Sequence, residues 1–415
     1  MTARSRRVSA AMVVAIGLLI VTIVLPPSAA SAAPPVLAPG GTLTVPGGAA
    51  NFGHSVAISG NTAIVGAPAF TSTPGTAYIY VKPKGGAWPA GPSVTLLDPA
   101  STAGDNFGVS VAISGNTAIV GAEGTNSLAG TAYIYKRVGS IWPPIPTATL
   151  TYPSPAPGDQ FGISVAISGT TAIVGAGSYA TDGAAFIYQK VGLTWSLKAT
   201  VTDSSANPHW GFGQPVAISG NTAIVGAIGA GSGGCNAAPC GAVDVYVKPT
   251  SGWTPTGSPT ATLSDPGAMQ NDYFGNSVAI AGRTILAADY DANPPSAGPA
   301  YIFKRPTTGW ASTSTPTKTL ADPAPGTDDS FGLAVAVSGT TAIVGAYSAP
   351  PASTGDAYVY RQAGGGWPAT PTASKNPWPV PVSAGFFGIA VAVSGTTAVV
   401  GAPSGSGDAY IFKGA

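Results

Sequence analysis

The sequence is poor in the residues that most enzymes use. Its 415 residues hold one glutamate, Glu123, and two histidines, His54 and His209. A Ser–His–Asp triad needs a histidine held between two partners, and no suitably placed Ser–Asp pair attends either one. A glycosidase needs two convergent carboxylates, which here would have to be aspartates carried on loops. Phosphate-binding loops and nucleic-acid modules are absent.

Cysteine is as scarce. The only two, Cys235 and Cys240, stand in GGCNAAPCG. Their spacing suits a local disulfide in an oxidising compartment, and the pair alone lacks two of the four ligands a structural zinc site needs. Charge is thin too, at 8% of residues with a formal net charge of +1. No strong field would draw the whole molecule to nucleic acid or to an anionic membrane. Helical periodicity is missing from residue 33 onward, which points to an all-β chain.

What the sequence has in plenty is glycine (57), proline (40) and a 45% share of hydrophobic residues. They are not scattered. The phrase FGHSVAISGNTAIVGAP, residues 52–68, returns with small changes at Phe107, Phe161, Phe212, Phe274, Phe331 and Phe387, every 51 to 62 residues. A fixed period of this size marks a repeat architecture.

Within one repeat, Ser55 to Ser59 alternates with period two, as a strand does. Gly60-Asn61 then supplies a two-residue hairpin turn in which both positions tolerate positive φ. Thr62 to Val65 returns, GTAYIYVK (75–82) forms a third strand, and SVTLLDP (93–99) a fourth, after a turn carrying Trp88. Four short antiparallel strands in such a unit make one propeller blade. Small residues fill the crowded inner strands, and aromatics such as Tyr78 and Tyr80 fill the wider wedge outside. Trp88, Trp142, Trp195, Trp253, Trp310 and Trp367 recur at the turn before strand four and read as structural.

The chain ends test this plan. The seventh repeat stops after its third strand, at GDAYIFKGA (407–415), whereas GGTLTVPGG (40–48) precedes the first and matches a fourth strand. The fold predicted is therefore all-β, a seven-bladed β-propeller over residues 40–415, with the N-terminal strand completing the last blade and removing its open edge. Ahead of it, the basic MTARSRR, the apolar stretch 10–25 and the Ala30-Ser31-Ala32 site read as a secretory signal peptide over residues 1–32. A short Pro/Ala-rich leader fills 33–39. The chain is expected to be secreted, with tethering by an uncleaved N-terminal segment as the alternative.

The Phe-Gly opening and Gly-Ala-Pro ending resemble the FG-GAP repeats of the integrin α-subunit propeller. That resemblance implies adhesion, and in several such repeats a D-x-D-x-D-G calcium loop in the first hairpin. Here the hairpins read Ser-Gly-Asn-Thr or Ser-Gly-Thr-Thr, too short and without a carboxylate, and calcium needs six to eight oxygens. The sequence is similar to the calcium-free FG-GAP variant of exported bacterial proteins.

Alternating strand directions gather the strand 2–3 loops and the inter-blade loops on one variable face. The cations that end strand three, among them Lys82, Lys136, Lys190 and Lys304, fall on the other. Function is expected on the variable face, where the candidate ligand-binding residues are Trp210, His209, Trp378, Tyr179, Asp182 and Tyr290. Trp210 and Trp378 stand out because they break the tryptophan period. Asp105, Asp159, Asp272 and Asp328/Asp329 precede the Phe-Gly pairs. They either cap turns or ring the central opening with carboxylates. Blade five breaks the repeat with RTILAADYDANP. Its Asp289, Asp291 and Asn293 have D-x-D-x-N spacing, and Asp272 is expected on the same face. These four are the candidate calcium ligands, although the usual following glycine and distal acid are missing. No other cofactor is expected.

The function expected is an exported, non-catalytic binding or scaffold protein that recognises a protein or glycan through one propeller face. The alternative is a carbohydrate-active propeller enzyme using aspartates near the channel. The chain is expected to be a monomer, with no nucleic-acid partner and no membrane contact beyond export.

Overall fold

The computed structural model describes residues 38–415 except 71–72, 101, 203–210, 229–240, 268–272, 290–297, 324–329, 348–354, 365, 376–384 and 406. They form seven four-stranded antiparallel sheets, each a blade. Blade one runs Ser55–Ser59, Thr62–Ala67, Thr76–Val81 and Val94–Leu96. Positive φ in its first turn is confined to Gly60 (+57°), as in a type II′ hairpin rather than one with both central residues left-handed. The second turn position therefore accepts Asn61 in one blade and Thr170 or Thr340 in others.

Burial follows position in the wedge. The first strand alternates half-buried and buried residues, while the second is buried throughout. The core lies between blades rather than inside them. Ile64, Ile79 and Leu96 of blade one pack on Phe107, Val120, Tyr135 and Trp142 of blade two. The motif Phe packs on the aromatics of the third strand, and Phe52 meets Tyr78 and Tyr80 edge-on at 5.6 and 6.2 Å, an arrangement aromatic rings favour.

The glycines of the motif explain its persistence. Gly108 has φ +91°, and a Cβ there would lie 2.5 Å from the Thr76 carbonyl oxygen of the preceding blade. A Cβ on Gly66 would in turn strike the Gly108 carbonyl. Backbone meets backbone across the blade boundary, so only glycine fits. Blade five departs from this. Ala288 takes the place of the second glycine, and the space over Gly332 of blade six opens to 3.1 Å from the Asp289 carbonyl oxygen.

The ring closes as the repeat count predicts. Residues Ala38–Leu43 pair antiparallel with Asp408–Lys413, with Thr42 opposite Tyr410. This strand begins two residues before the phrase read from sequence and ends at Leu43. Leu43 is fully buried against Phe52, Tyr78 and Tyr80 of blade one, and the Tyr80 hydroxyl donates to the Thr44 carbonyl at 2.8 Å.

Outer edges are covered by their neighbours. In the connection before strand four of blade four, Thr256 accepts from the Thr202 amide and donates to the Thr200 carbonyl of blade three. Thr313 of blade five does the same for Ser264 and Thr262 of blade four. Such cover blunts an edge strand. Blade three cannot supply it, because only Gly192-Leu193 separates its third strand, Ala184–Val191, from its fourth, Thr194–Val201. Trp195 consequently lies inside that fourth strand, half-buried, and not in a turn before it.

Candidate functional site

The third strand of each blade ends beside the first hairpin. The Lys82 amide donates to Asn61 and that of Arg137 to Asn116. Strand 2–3 loops and inter-blade loops share the opposite end, and this loop face holds the described candidates Asp105, Asp159, Tyr179, Asp182 and Asp289.

Asp105, Asp159 and Asp265 serve the backbone. Asp105 is fully buried. Its carboxylate accepts from the amides of Gly75 (3.4 Å), Thr102 (3.0 Å) and Phe107 (3.2 Å). One side chain thus ties an inter-blade turn to the strand 2–3 loop of the preceding blade. Asp159 accepts from the Ala156 amide at 2.9 Å and the Tyr152 hydroxyl at 2.5 Å. Tyr152 is itself buried, and burial with the adjacent carboxylate holds its hydroxyl protonated far above neutral pH. Asp265 caps its own turn through the Gly267 amide at 3.1 Å. These are the roles short polar side chains play in turns. Asp328 and Asp329 lie outside the described residues.

Tyr179 is half-buried and packs perpendicular to Phe186 at 5.4 Å and to Tyr152 at 5.7 Å. Its ring belongs to the aromatic stack of blade three. Asp182 sits in the same loop, and its carbonyl accepts the Phe212 amide of blade four at 3.1 Å. Asp289 is buried, with its amide bonded to the Pro299 carbonyl at 3.0 Å. The other proposed calcium ligands, Asp272, Asp291 and Asn293, lie outside the described residues, as do Trp210, His209, Trp378, Tyr290, Cys235 and Cys240. Among the described residues no three His, Cys, Asp or Glu side chains gather as a metal site.

Two groups emerge that the sequence did not single out as a pair. Asn106, left-handed at φ +56°, precedes its Phe-Gly and donates through Nδ2 to Glu123 Oε1 at 3.4 Å. The other carboxyl oxygen of Glu123 is buried without a hydrogen-bond partner, and burial raises its pKa. Asn51, at the same place in blade one, donates instead to the Pro68 carbonyl at 3.0 Å. The signal was the asparagine preceding the Phe-Gly pair in blades one and two. His54 lies edge-on to Phe70 at 5.2 Å, and burial lowers its pKa.

The FG-GAP repeat model matches six stretches, residues 43–80, 94–135, 146–188, 195–246, 258–303 and 317–360. The chain belongs to the FG-GAP repeat family. Each FG-GAP match starts within or near a fourth strand and ends in the third strand of the following blade, so the family unit is offset from the blade by one strand. The first match starts at Leu43, in the strand that completes blade seven. No curated protein matches the chain. Among the described residues no helix is long and apolar enough to cross a membrane.

Proposed function

We propose that this FG-GAP propeller is an exported, non-catalytic binding scaffold that recognises a protein or glycan through its loop face. The observation that carries the reading is the use of Asp105 and Asp159. Both are buried and engaged by backbone amides, as expected of a rigid frame rather than a pair of reacting carboxylates. The loops they anchor differ from blade to blade, and a rigid ring that carries variable loops is a common way to build a recognition surface.

The test is a screen of the secreted chain on protein and glycan arrays. A second protein has residues 68–75 and 123–130 replaced by Gly-Ser linkers of equal length. Selective capture that the loop replacement abolishes supports the reading. Absence of capture on both arrays, or turnover of an arrayed glycan, counts against it.

A further inference from the structure

The net charge of +1 conceals a separation. Among the described residues, every acid except Asp244 stands at the loop end of the blades, and every cation except Lys198 and Lys375 stands at the hairpin end. Asp105, Asp159 and Glu123 lie in or beside inter-blade and strand 2–3 loops, whereas Lys136, Arg137 and Lys190 close third strands. The disc is bipolar, with one basic face.

The same basic face carries large exposed aliphatic side chains, among the described residues on two neighbouring blades only. In blade two, Val138 and Ile141 pair across the turn Gly139-Ser140 and are 66% and 70% exposed, with Ile145 beyond them at 62%. In blade three, Val191 is 65% exposed and Leu193, at the turn tip, 92%. In the matching turns of blades one, four, five and six, the place of Val138 is taken by Pro83, Pro249, Pro306 or Ala363, and that of Ile141 by Gly86, Gly252, Gly309 or Gly366. The turn therefore does not require the large aliphatic chain of Ile141, and such clusters commonly mark an interaction surface.

We propose that the hairpin face at blades two and three docks on an anionic phospholipid bilayer. Arg137, Lys136 and Lys190 would meet the headgroups, and Leu193, Ile141 and Val138 would enter the acyl boundary. Charge complementarity selects the anionic surface. The aliphatic tips, which a soluble polyanion would leave in water, select a bilayer over a polymer. This proposal is independent of recognition at the loop face.

The experiment is co-sedimentation of the unit Pro34–Ala415, a compact body whose ring closes within itself. Vesicles are phosphatidylcholine alone or an equal mixture with phosphatidylglycerol. The expected result is binding to the mixed vesicles only, weakened by salt. Each of Arg137→Gln and Lys190→Gln should weaken binding about fivefold, and the Ile141→Ser/Leu193→Ser variant should abolish it while its circular dichroism stays unchanged. Equal binding to both vesicle types, or no binding, overturns the proposal. So does polyphosphate binding that matches vesicle binding and ignores Leu193→Ser, which would identify a polyanion site. Salt-sensitive self-association without vesicles, abolished by the double variant, would overturn it in favour of an interface between copies.

Discussion

The Gly60 amide of the first blade donates to the Ser394 hydroxyl oxygen of the last, 3.0 Å away and 334 residues apart in sequence. The same bond links Gly115 to Ser59, Gly169 to Ser114, Gly220 to Ser168, Gly282 to Ser219 and Gly395 to Ser338, at 3.0–3.1 Å. These bonds run round the hairpin face and break at one place. Blade five has Ala281 where the others have serine, facing the Gly339 turn of blade six.

Ala281→Ser should therefore complete the ring. One hydrogen bond is worth about 0.5–1.5 kcal/mol net, and this site is partly exposed, so a gain in the lower half of that range is expected. Chemical denaturation measures it. An unchanged or lower midpoint would show that the blade five–six junction is too wide for the bond.

That junction illustrates what the sequence did and did not reveal. The blade plan was legible because the Phe-Gly and Gly-Ala glycines are dictated by backbone approach, so they cannot drift without opening the boundary, as Ala288 does beside Gly332. The donated strand was legible from a missing fourth strand at one end and a surplus one at the other. The turn-capping role of Asp105 was one of two readings the sequence left open, because type alone does not tell a capping carboxylate from a reacting one. Net charge concealed the two faces, since it sums over a molecule whose strand directions sort the charges. The covering segment at Thr256 and Thr313 was not legible, because its partners lie in the preceding blade. Trp210, Trp378 and most of the blade-five cluster fall outside the described residues, so their sequence reading stands as an expectation.

Removal of the donated strand should be severe. Deleting residues 38–43 bares the edge formed by Asp408–Lys413 and withdraws Leu43 from the blade-one core. The milder Leu43→Ala should cost about 2–5 kcal/mol, as truncation of a fully buried leucine does. Thermal melting of both variants checks this. A deletion variant that melts with the parent would contradict closure by this strand.

Glu123 gives a pH signature. Burial holds its carboxyl above the ordinary 4.5, so the folded chain keeps a proton that the unfolded chain releases. Its contribution to stability is full below about 4.5 and is lost as pH rises through the folded value. Glu123→Gln preserves an acceptor for Asn106 and removes the charge. It should raise the denaturation midpoint near neutral pH and change it less in acid. A lower midpoint near neutral pH would mean that the carboxylate has a partner it needs.

The most direct measurement concerns Asp105. In Asp105→Asn, one oxygen and an amide group replace a carboxylate that three backbone N–H groups use, so at least one buried donor loses its acceptor. Denaturation of the variant is followed beside its rate on a panel of chromogenic glycosides. A non-catalytic scaffold should lose about 1–3 kcal/mol of stability, with both proteins at the background rate. A parent that cleaves a glycoside and an equally stable variant that does not would make Asp105 a reacting group and contradict the scaffold reading.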